Sequence, residues 1–351
     1  MAKKIKLTSG SIFAGNPITF TIQPETLDSP SFHRVIIEVN FANGGSYETV
    51  KLTVPVTTEG NNVALDVSSA LRIPIDDFQY TATTKTFPLV RWYIKAYDEY
   101  MNKNGEVHTG VGEIYYPQKP VAGTDTDLRC IAGAMSDMER ILSKPSPAVK
   151  DFSRKPTSIP EVTVVGESFS YPVSYASSQI LASSTALTAP TSSEQKITKE
   201  GSQTIGGHAL YALPSSEAEN RSTFRFINAR GCLESINIPK AYSKKLSVET
   251  TPYTIAVQET FNTFSRSAIK KQNNRESWLY QSDPLDTAWL YWYLHEFLMS
   301  EHVWMKVKDT WLPCTITQED EITISDNTTQ NMHSVSFTAK LGINGDPFAS
   351  I

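Results

Sequence analysis

Residues 90–97 read Val90-Arg91-Trp92-Tyr93-Ile94-Lys95-Ala96-Tyr97. Val90, Trp92, Ile94 and Ala96 alternate with Arg91, Tyr93, Lys95 and Tyr97. Successive side chains leave opposite faces of a strand, so this period of two sends one set toward a core and the other toward water. Two earlier runs share it. Ile18, Phe20 and Ile22 alternate with Thr19, Thr21 and Gln23, and Val50, Leu52, Val54 and Val56 alternate with Lys51, Thr53, Pro55 and Thr57. Asn16-Pro17, Asn43-Gly44-Gly45, Gly60-Asn61-Asn62 and Asn104-Gly105 lie between the runs. Gly and Asn supply the positive φ values that tight turns require. Pro55 lacks an N–H, which predicts that its strand lies at a sheet edge. Short strands separated by turns predict an antiparallel β-sandwich over residues 1–143.

Beyond the strands, Leu128, Ile131, Met135, Met138 and Ile141 recur at spacings of three or four behind Asp127. This pattern predicts a trailing helix with one apolar stripe, stopped at Lys144-Pro145-Ser146-Pro147. Residues 144–160 carry Pro145, Pro147, Pro156 and Pro160 among Lys150, Arg154 and Lys155, and read as a linker to a second domain over 161–351. Ser168–Ser193 is rich in Ser, Thr and Ala and nearly uncharged. Strands are expected at Phe224–Ile227, Leu233–Ile238, Tyr253–Val257 and Trp278–Gln281. Four more follow, at Val303–Lys308, Trp311–Thr317, Glu321–Ser325 and Ser334–Leu341.

Between these two groups lies Asp283-Pro284-Leu285-Asp286, with Asp283 placed to cap a helix and Pro284 to open it. The expected helix, 284–300, contains Trp289, Leu290, Tyr291, Trp292, Tyr293, Leu294, Phe297 and Leu298. On a wheel of about 100° per residue its polar members Asp286, Thr287, His295 and Glu296 share no side. A single sheet covers one stripe of a helix. Two placements therefore stand: a helix central to one domain's core, or a helix between its own sheet and a neighbouring subunit. The second makes Trp289, Tyr291, Trp292, Tyr293 and Phe297 candidate subunit-interface residues.

Composition narrows the function classes. The chain has 351 residues, with 32 Lys+Arg against 37 Asp+Glu and a formal charge of −5. Without a cationic excess, specific nucleic-acid binding is not expected. Aromatics at 10% argue for a folded chain. No apolar run reaches the roughly 20 residues that cross a bilayer, and no apolar stretch follows the basic start, so neither a membrane span nor a secretory signal is expected. Cys130, Cys232 and Cys314 are odd in number and widely spaced, giving neither a disulfide framework nor a zinc pattern.

Motifs with a chemical mechanism are incomplete. His295-Glu296 meets Met299 where a zinc helix needs its second His, and His302 lies seven residues on. Gly110-Val111-Gly112 has Tyr115 where a dinucleotide loop has its third glycine. Gly166-Glu167-Ser168-Phe169-Ser170 lacks the closing glycine of a nucleophile elbow. Asp125-Thr126-Asp127 runs into Leu128 and Arg129 where a calcium loop needs oxygen donors, and Glu319-Asp320-Glu321 reads as a solvated turn. No catalytic, cofactor-binding or metal-ligating residue is expected, and the chain reads as a non-enzyme. Tyr115-Tyr116 and the pair Tyr171 and Tyr175 are the aromatics that sugar stacking would use.

Two groups of residues carry a resemblance. Ile12-Phe13-Ala14-Gly15-Asn16-Pro17-Ile18 with Ala64-Leu65-Asp66-Val67-Ser68 resembles the first sandwich of structural proteins in tailed bacteriophages and prophages. The second half is similar to the tube-like domain of distal tail and baseplate proteins. It runs from Phe226-Ile227-Asn228-Ala229-Arg230-Gly231 and Glu234-Ser235-Ile236 through Trp289–Ser300 to Val303-Trp304-Met305-Lys306-Val307 and Trp311-Leu312-Pro313-Cys314-Thr315-Ile316. Ile227 stands where those proteins carry a larger aromatic. The resemblance implies a mainly β chain, an N-terminal sandwich plus a C-terminal tube-like sandwich with a flanking apolar helix. It also implies a non-enzymatic virion protein, made in the bacterial host cytoplasm, that forms a ring-like homo-oligomer at a tail tip, baseplate or connector and holds other tail proteins. The alternative is a carbohydrate-binding or adhesion module at a fibre tip or cell surface.

Overall fold

The computed structural model describes residues 4–9, 12–27, 30–42, 45–58, 60–118, 127–135, 152–157, 159–173, 187–259, 262–317, 324–327 and 332–342. The chain is mainly β. It divides into two compact units, neither a single stretch of sequence. Unit 1 comprises Met1–Ser153, Pro172–Ser193 and Asn228–Cys232, and unit 2 comprises Arg154–Tyr171, Glu194–Ile227 and Leu233–Ile351.

Unit 1 is built from β1 (Lys4–Ser9), β2 (Thr19–Gln23), β3 (Phe32–Ala42), β4 (Glu48–Pro55), β5 (Val63–Asp66), the helix α1 (Ser68–Asp76), β6 (Leu89–Met101), β7 (Val107–Tyr116) and β8 (Leu128–Ile131). One sheet runs β1-β2-β5. The other runs β4-β3-β6-β7, with β8 also paired to β6. The inward positions of the alternating runs meet in one core: Ile18, Phe20 and Ile22 with Val35, Ile37, Val39, Val90, Trp92, Ile94 and Ala96. Two antiparallel sheets sharing one core form the β-sandwich that the period of two predicts. β4 is the edge strand, so Pro55 costs no ladder bond. Asp66 turns the chain into α1 by accepting the N–H groups of Ile18 and Ser68, at 3.0 and 2.9 Å. Leu71 and Ile75 of α1 then join the core.

The helix expected from Asp127 onward is corrected. Leu128–Ile131 is strand β8, and Ala132–Met135 is irregular; residues 136–141 lie outside the described residues. Leu128 and Cys130 face Trp92 and Val90 along the first residues of β6, while β7 pairs from Ile94 onward. The open edge length of β6 therefore decides the conformation. The i, i+3 spacing is a local pattern that long-range pairing overrides.

Unit 2 contains β9 (Glu161–Val164), β10 (Ser168–Pro172), β11 (Ser192–Lys196), β12 (Gly201–Ile205), β13 (His208–Leu213), β14 (Arg221–Ile227), β15 (Leu233–Pro239), β16 (Ser243–Glu259), β17 (Asn262–Gln281), β18 (Val303–Val307), β19 (Thr310–Thr317), β20 (Ile324–Asn327) and β21 (Met332–Leu341). β10 and β11, at the unit's border, pair as a two-stranded sheet, so the described ends of the Ser/Thr-rich stretch are strands. The large sheet runs β15-β14-β18-β19-β21-β17-β16, with β20 on β21. A small sheet, β12-β13-β9, ends in a parallel pair. The large sheet curls. Phe224 of β14 meets Tyr280 of β17 edge to face at 5.2 Å, although three strands separate them in the pairing order. Inside the curl lie Phe224, Phe226, Ile236, Ile238, Tyr280, Val335 and Phe337, together with the apolar helix.

Candidate functional site

The apolar helix begins later than its sequence signals suggest. Leu285 exchanges backbone hydrogen bonds with His333 (2.7 and 2.8 Å), so it belongs to a β-bridge and cannot start a helix. The N-cap is Asp286, whose Oδ1 accepts the Trp289 N–H at 2.8 Å. Helix α2 spans Thr287–Trp292 and passes into a π-turn over Tyr293–Phe297, closed by Leu298 N–H donating to the Tyr293 carbonyl. The expected limits of 284–300 and the Asp283 cap are thereby corrected. The exposed positions fall on one stripe, Thr287, Ala288, Tyr291, His295 and Met299. The helix is therefore amphipathic.

The five candidate interface residues separate accordingly. Trp289, Trp292, Tyr293 and Phe297 are buried in the unit's own core. Phe297 packs against Phe224, Phe226, Tyr293 and Phe337 with ring centroids 5.2–5.6 Å apart. The cover expected from a neighbouring subunit comes, for these four, from the curled sheet and from residues 154–160. Tyr291 alone stands out, 62% exposed, with its ring stacked on His295.

Arg154, Lys155 and Ile159, in the stretch read from its prolines as linker, lie against α2. Arg154 pairs with Glu296 of the π-turn, and the Ile159 carbonyl accepts the Trp289 indole N–H at 3.1 Å. Lys155 reaches furthest in. Its ammonium donates to Glu161 Oε2 and to the Ser235 carbonyl, both at 2.7 Å, and lies 4.8 Å from the ring centroids of Phe169 and of Trp292. The other oxygen of Glu161 accepts the Asn237 N–H of edge strand β15 at 3.2 Å, so a buried carboxylate caps that edge. Sequence reading missed this cluster because its members are scattered over 155–292. A buried ion pair persists only where its remaining hydrogen-bonding capacity is met, and both partners here make further bonds.

The incomplete motifs resolve into structural roles. Gly110 and Gly112 have φ of +74° and +61° where β7 shifts register against Asp98 of β6. A Cβ on Gly112 would lie 2.7 Å from the Glu25 carboxylate. Ser168 begins a strand, not an elbow, and His302 is exposed. Asp125 and Glu319-Asp320-Glu321 lie outside the described residues. Asp127 is buried, and burial raises its carboxyl above the ordinary range. All three cysteines are buried. Burial pushes the Cys130 thiol up and that of Cys314 up to about 12, so these sulfurs stay protonated and are poor nucleophiles near neutral pH. Among the described residues no group of His, Cys, Asp and Glu is placed to hold a metal ion, and no helix is long and apolar enough to cross a membrane.

The longest strands among the described residues form a ribbon. β16 and β17 form a hairpin of 17- and 20-residue strands paired from Ser243↔Leu279 to Glu259↔Asn262. β17 joins the rest of the sheet, at β21, only through Ser277–Gln281, and β16 is the terminal strand. Beyond Leu246 and Glu276 the ribbon pairs only with itself among the described strands. At about 3.3 Å per residue, this two-stranded extension runs on the order of 40 Å. Tyr242 and Leu246 at its base, and Tyr253 about halfway along it, are exposed. The hairpin's length was not legible in the sequence, where only Tyr253–Val257 and Trp278–Gln281 read as strand. No protein-family model matches the chain, and no curated protein matches it.

Proposed function

We propose that the chain is a structural, self-associating virion component of a phage tail tip, baseplate or connector that holds other tail proteins and has no catalytic role. The β16–β17 ribbon carries this reading. An isolated two-stranded ribbon is marginal in water, and among the described strands none pairs with its outer edges beyond Leu246 and Glu276. Natural sheets blunt or cover such edges. β15, at the far end of the sheet's pairing order, is capped by Glu161, whereas the ribbon extends beyond its sheet with no third strand among the described residues. A second copy pairing with these edges supplies the missing bonds, and a head-to-tail repeat of that contact gives a ring. Tyr291 and Met299, 62% and 65% exposed on α2, add an apolar surface for the same assembly or for another tail protein. The order of strands, apolar helix and hairpin agrees with the resemblance to distal tail and baseplate proteins.

The test replaces residues 248–274 with a two-residue Asn-Gly turn, which keeps Ser247 opposite Arg275, and compares the shortened and full chains by sedimentation and negative-stain microscopy. The expected result is a ring or other closed oligomer for the full chain and a folded monomer for the shortened one. A full chain that stays monomeric at high micromolar concentration, indistinguishable from the shortened form, would reject the reading.

A further inference from the structure

We infer that the outer face of the β4-β3-β6-β7 sheet in unit 1 is a binding surface for a neutral glycan, with Tyr47, Tyr93 and Tyr115 as its stacking platform. This site is independent of the self-association proposed above. Inward residues of β6 alternate with Arg91, Tyr93, Lys95, Tyr97 and Glu99, which all face away from the core. Tyr93 touches Tyr47 on one side, with centroids 5.3 Å apart, and Tyr115 on the other, at 6.4 Å. The three rings thus form a continuous row. Tyr47 is 38% exposed, and Tyr93 and Tyr115 are half-buried. Tyr116, the other half of the pair singled out in the sequence, turns inward onto Phe20. Tyr171 packs on Phe169 and His208, and position 175 lies outside the described residues.

The surroundings select the class of ligand. Lys51 pairs with Glu38 at 3.0 Å, Lys95 with Glu113 at 2.9 Å, and Arg34 with Glu99. The Tyr97 hydroxyl donates to Glu38, and the Tyr115 hydroxyl donates to Glu113 at 2.6 Å. Three of the face's cations are thus paired with neighbouring carboxylates, and Arg91 lies over the Tyr47 ring at 5.9 Å, so the face lacks the run of unpaired cations that gathers a polyanion. It offers aromatic surface for the C–H faces of sugar rings, beside fixed carboxylate and ammonium groups for their hydroxyls. The hydroxyl bonds and cross-strand ion pairs hold the tyrosines in place before any ligand arrives, which lowers the ordering cost of binding. The ion pairs support the sheet whatever the face does; the partly exposed row of three rings is what sheet pairing alone does not require.

The experiment titrates the full chain by calorimetry with cellohexaose, maltohexaose and chitohexaose as neutral probes and oligogalacturonate as the charged one. At least one neutral hexaose is expected to bind, and Tyr93→Ala and Tyr47→Ala should each weaken it by about fivefold or more. Thermal melting verifies that the variants fold, and Tyr211→Ala, at an exposed tyrosine of unit 2, serves as the unaffected control. Failure of all three neutral hexaoses to bind, tighter binding of oligogalacturonate, or binding indifferent to both tyrosine substitutions in folded protein would each overturn the inference.

Discussion

Lys155→Ala tests whether the segment before β9 is part of unit 2's core. The substitution removes an ammonium lying 2.7 Å from Glu161 Oε2 and 4.8 Å from the ring centroids of both Phe169 and Trp292. Lys155 and Glu161 are each only 6% exposed, so the carboxylate left behind has little access to water. Breaking a buried pair from one side typically costs about 3–5 kcal/mol, largely from the stranded charge. Against a typical domain stability of about 5–15 kcal/mol, that is a large fraction. With an m-value of about 2 kcal/mol per M, the urea midpoint of unit 2 should fall by about 2 M. Tryptophan fluorescence is a suitable probe, because Trp92 is the one indole of six outside unit 2. The double variant Lys155→Met with Glu161→Leu removes both charges and should recover most of the loss, since apolar replacement of a buried pair is often neutral or better. A midpoint for Lys155→Ala within about 0.5 M of the parent, or a double variant no better than the single, would refute the reasoning.

Four further outcomes are expected. Trp292→Ala should destabilise unit 2 by about 3–5 kcal/mol through a core cavity, whereas Tyr291→Ala should cost less than about 0.5 kcal/mol; urea titration distinguishes them. Asp286→Ala should cost about 0.5–2 kcal/mol by leaving the Trp289 N–H without its cap, again read from the urea midpoint. Gly133→Ala should lower the melting temperature sharply, because its φ is +104° and a Cβ would lie 2.5 Å from the Ala229 carbonyl oxygen; Gly45→Ala, with open space, is the control. Burial raises the Tyr280 phenol to about 12. Above pH 10 an unfolded tyrosine loses its proton while the folded one keeps it, so stability falls as pH rises from about 10 to 12 at up to about 1.4 kcal/mol per pH unit. Tyr280→Phe should flatten that alkaline limb of the melting curve.

The candidate site was legible in part. The run Trp289–Phe297 announced an element needing extensive cover, and the structure buries Trp289, Trp292, Tyr293 and Phe297. What covers them was not legible. Sheet curl brings Phe224 beside Tyr280, and Lys155 reaches Trp292 across more than a hundred residues of chain. On a wheel of about 100° per residue the exposed positions Thr287, Ala288, Tyr291, His295 and Met299 already share one side; what the sequence did not reveal is that Glu296, on the other side, is buried and paired with Arg154. The tyrosine platform was visible only at Tyr115. Tertiary pairing, not sequence proximity, sets Tyr93 beside it and Tyr47 beside Tyr93.

By itself the sequence determined the mainly β class, the faces of β2, β4 and β6, the edge position of Pro55's strand and the presence of a helix carrying Trp289, Trp292 and Phe297. These follow from side-chain alternation, proline chemistry and hydrophobicity, all properties of neighbouring residues. Tertiary structure alone decided that Leu128–Ile131 extends a sheet, that Leu285 bridges to His333 before the helix can begin, and that unit 2 draws in residues 154–160. Each of those outcomes depends on which distant backbone groups remain unpaired once the sheets have formed. A local pattern carries no information about a partner a hundred residues away.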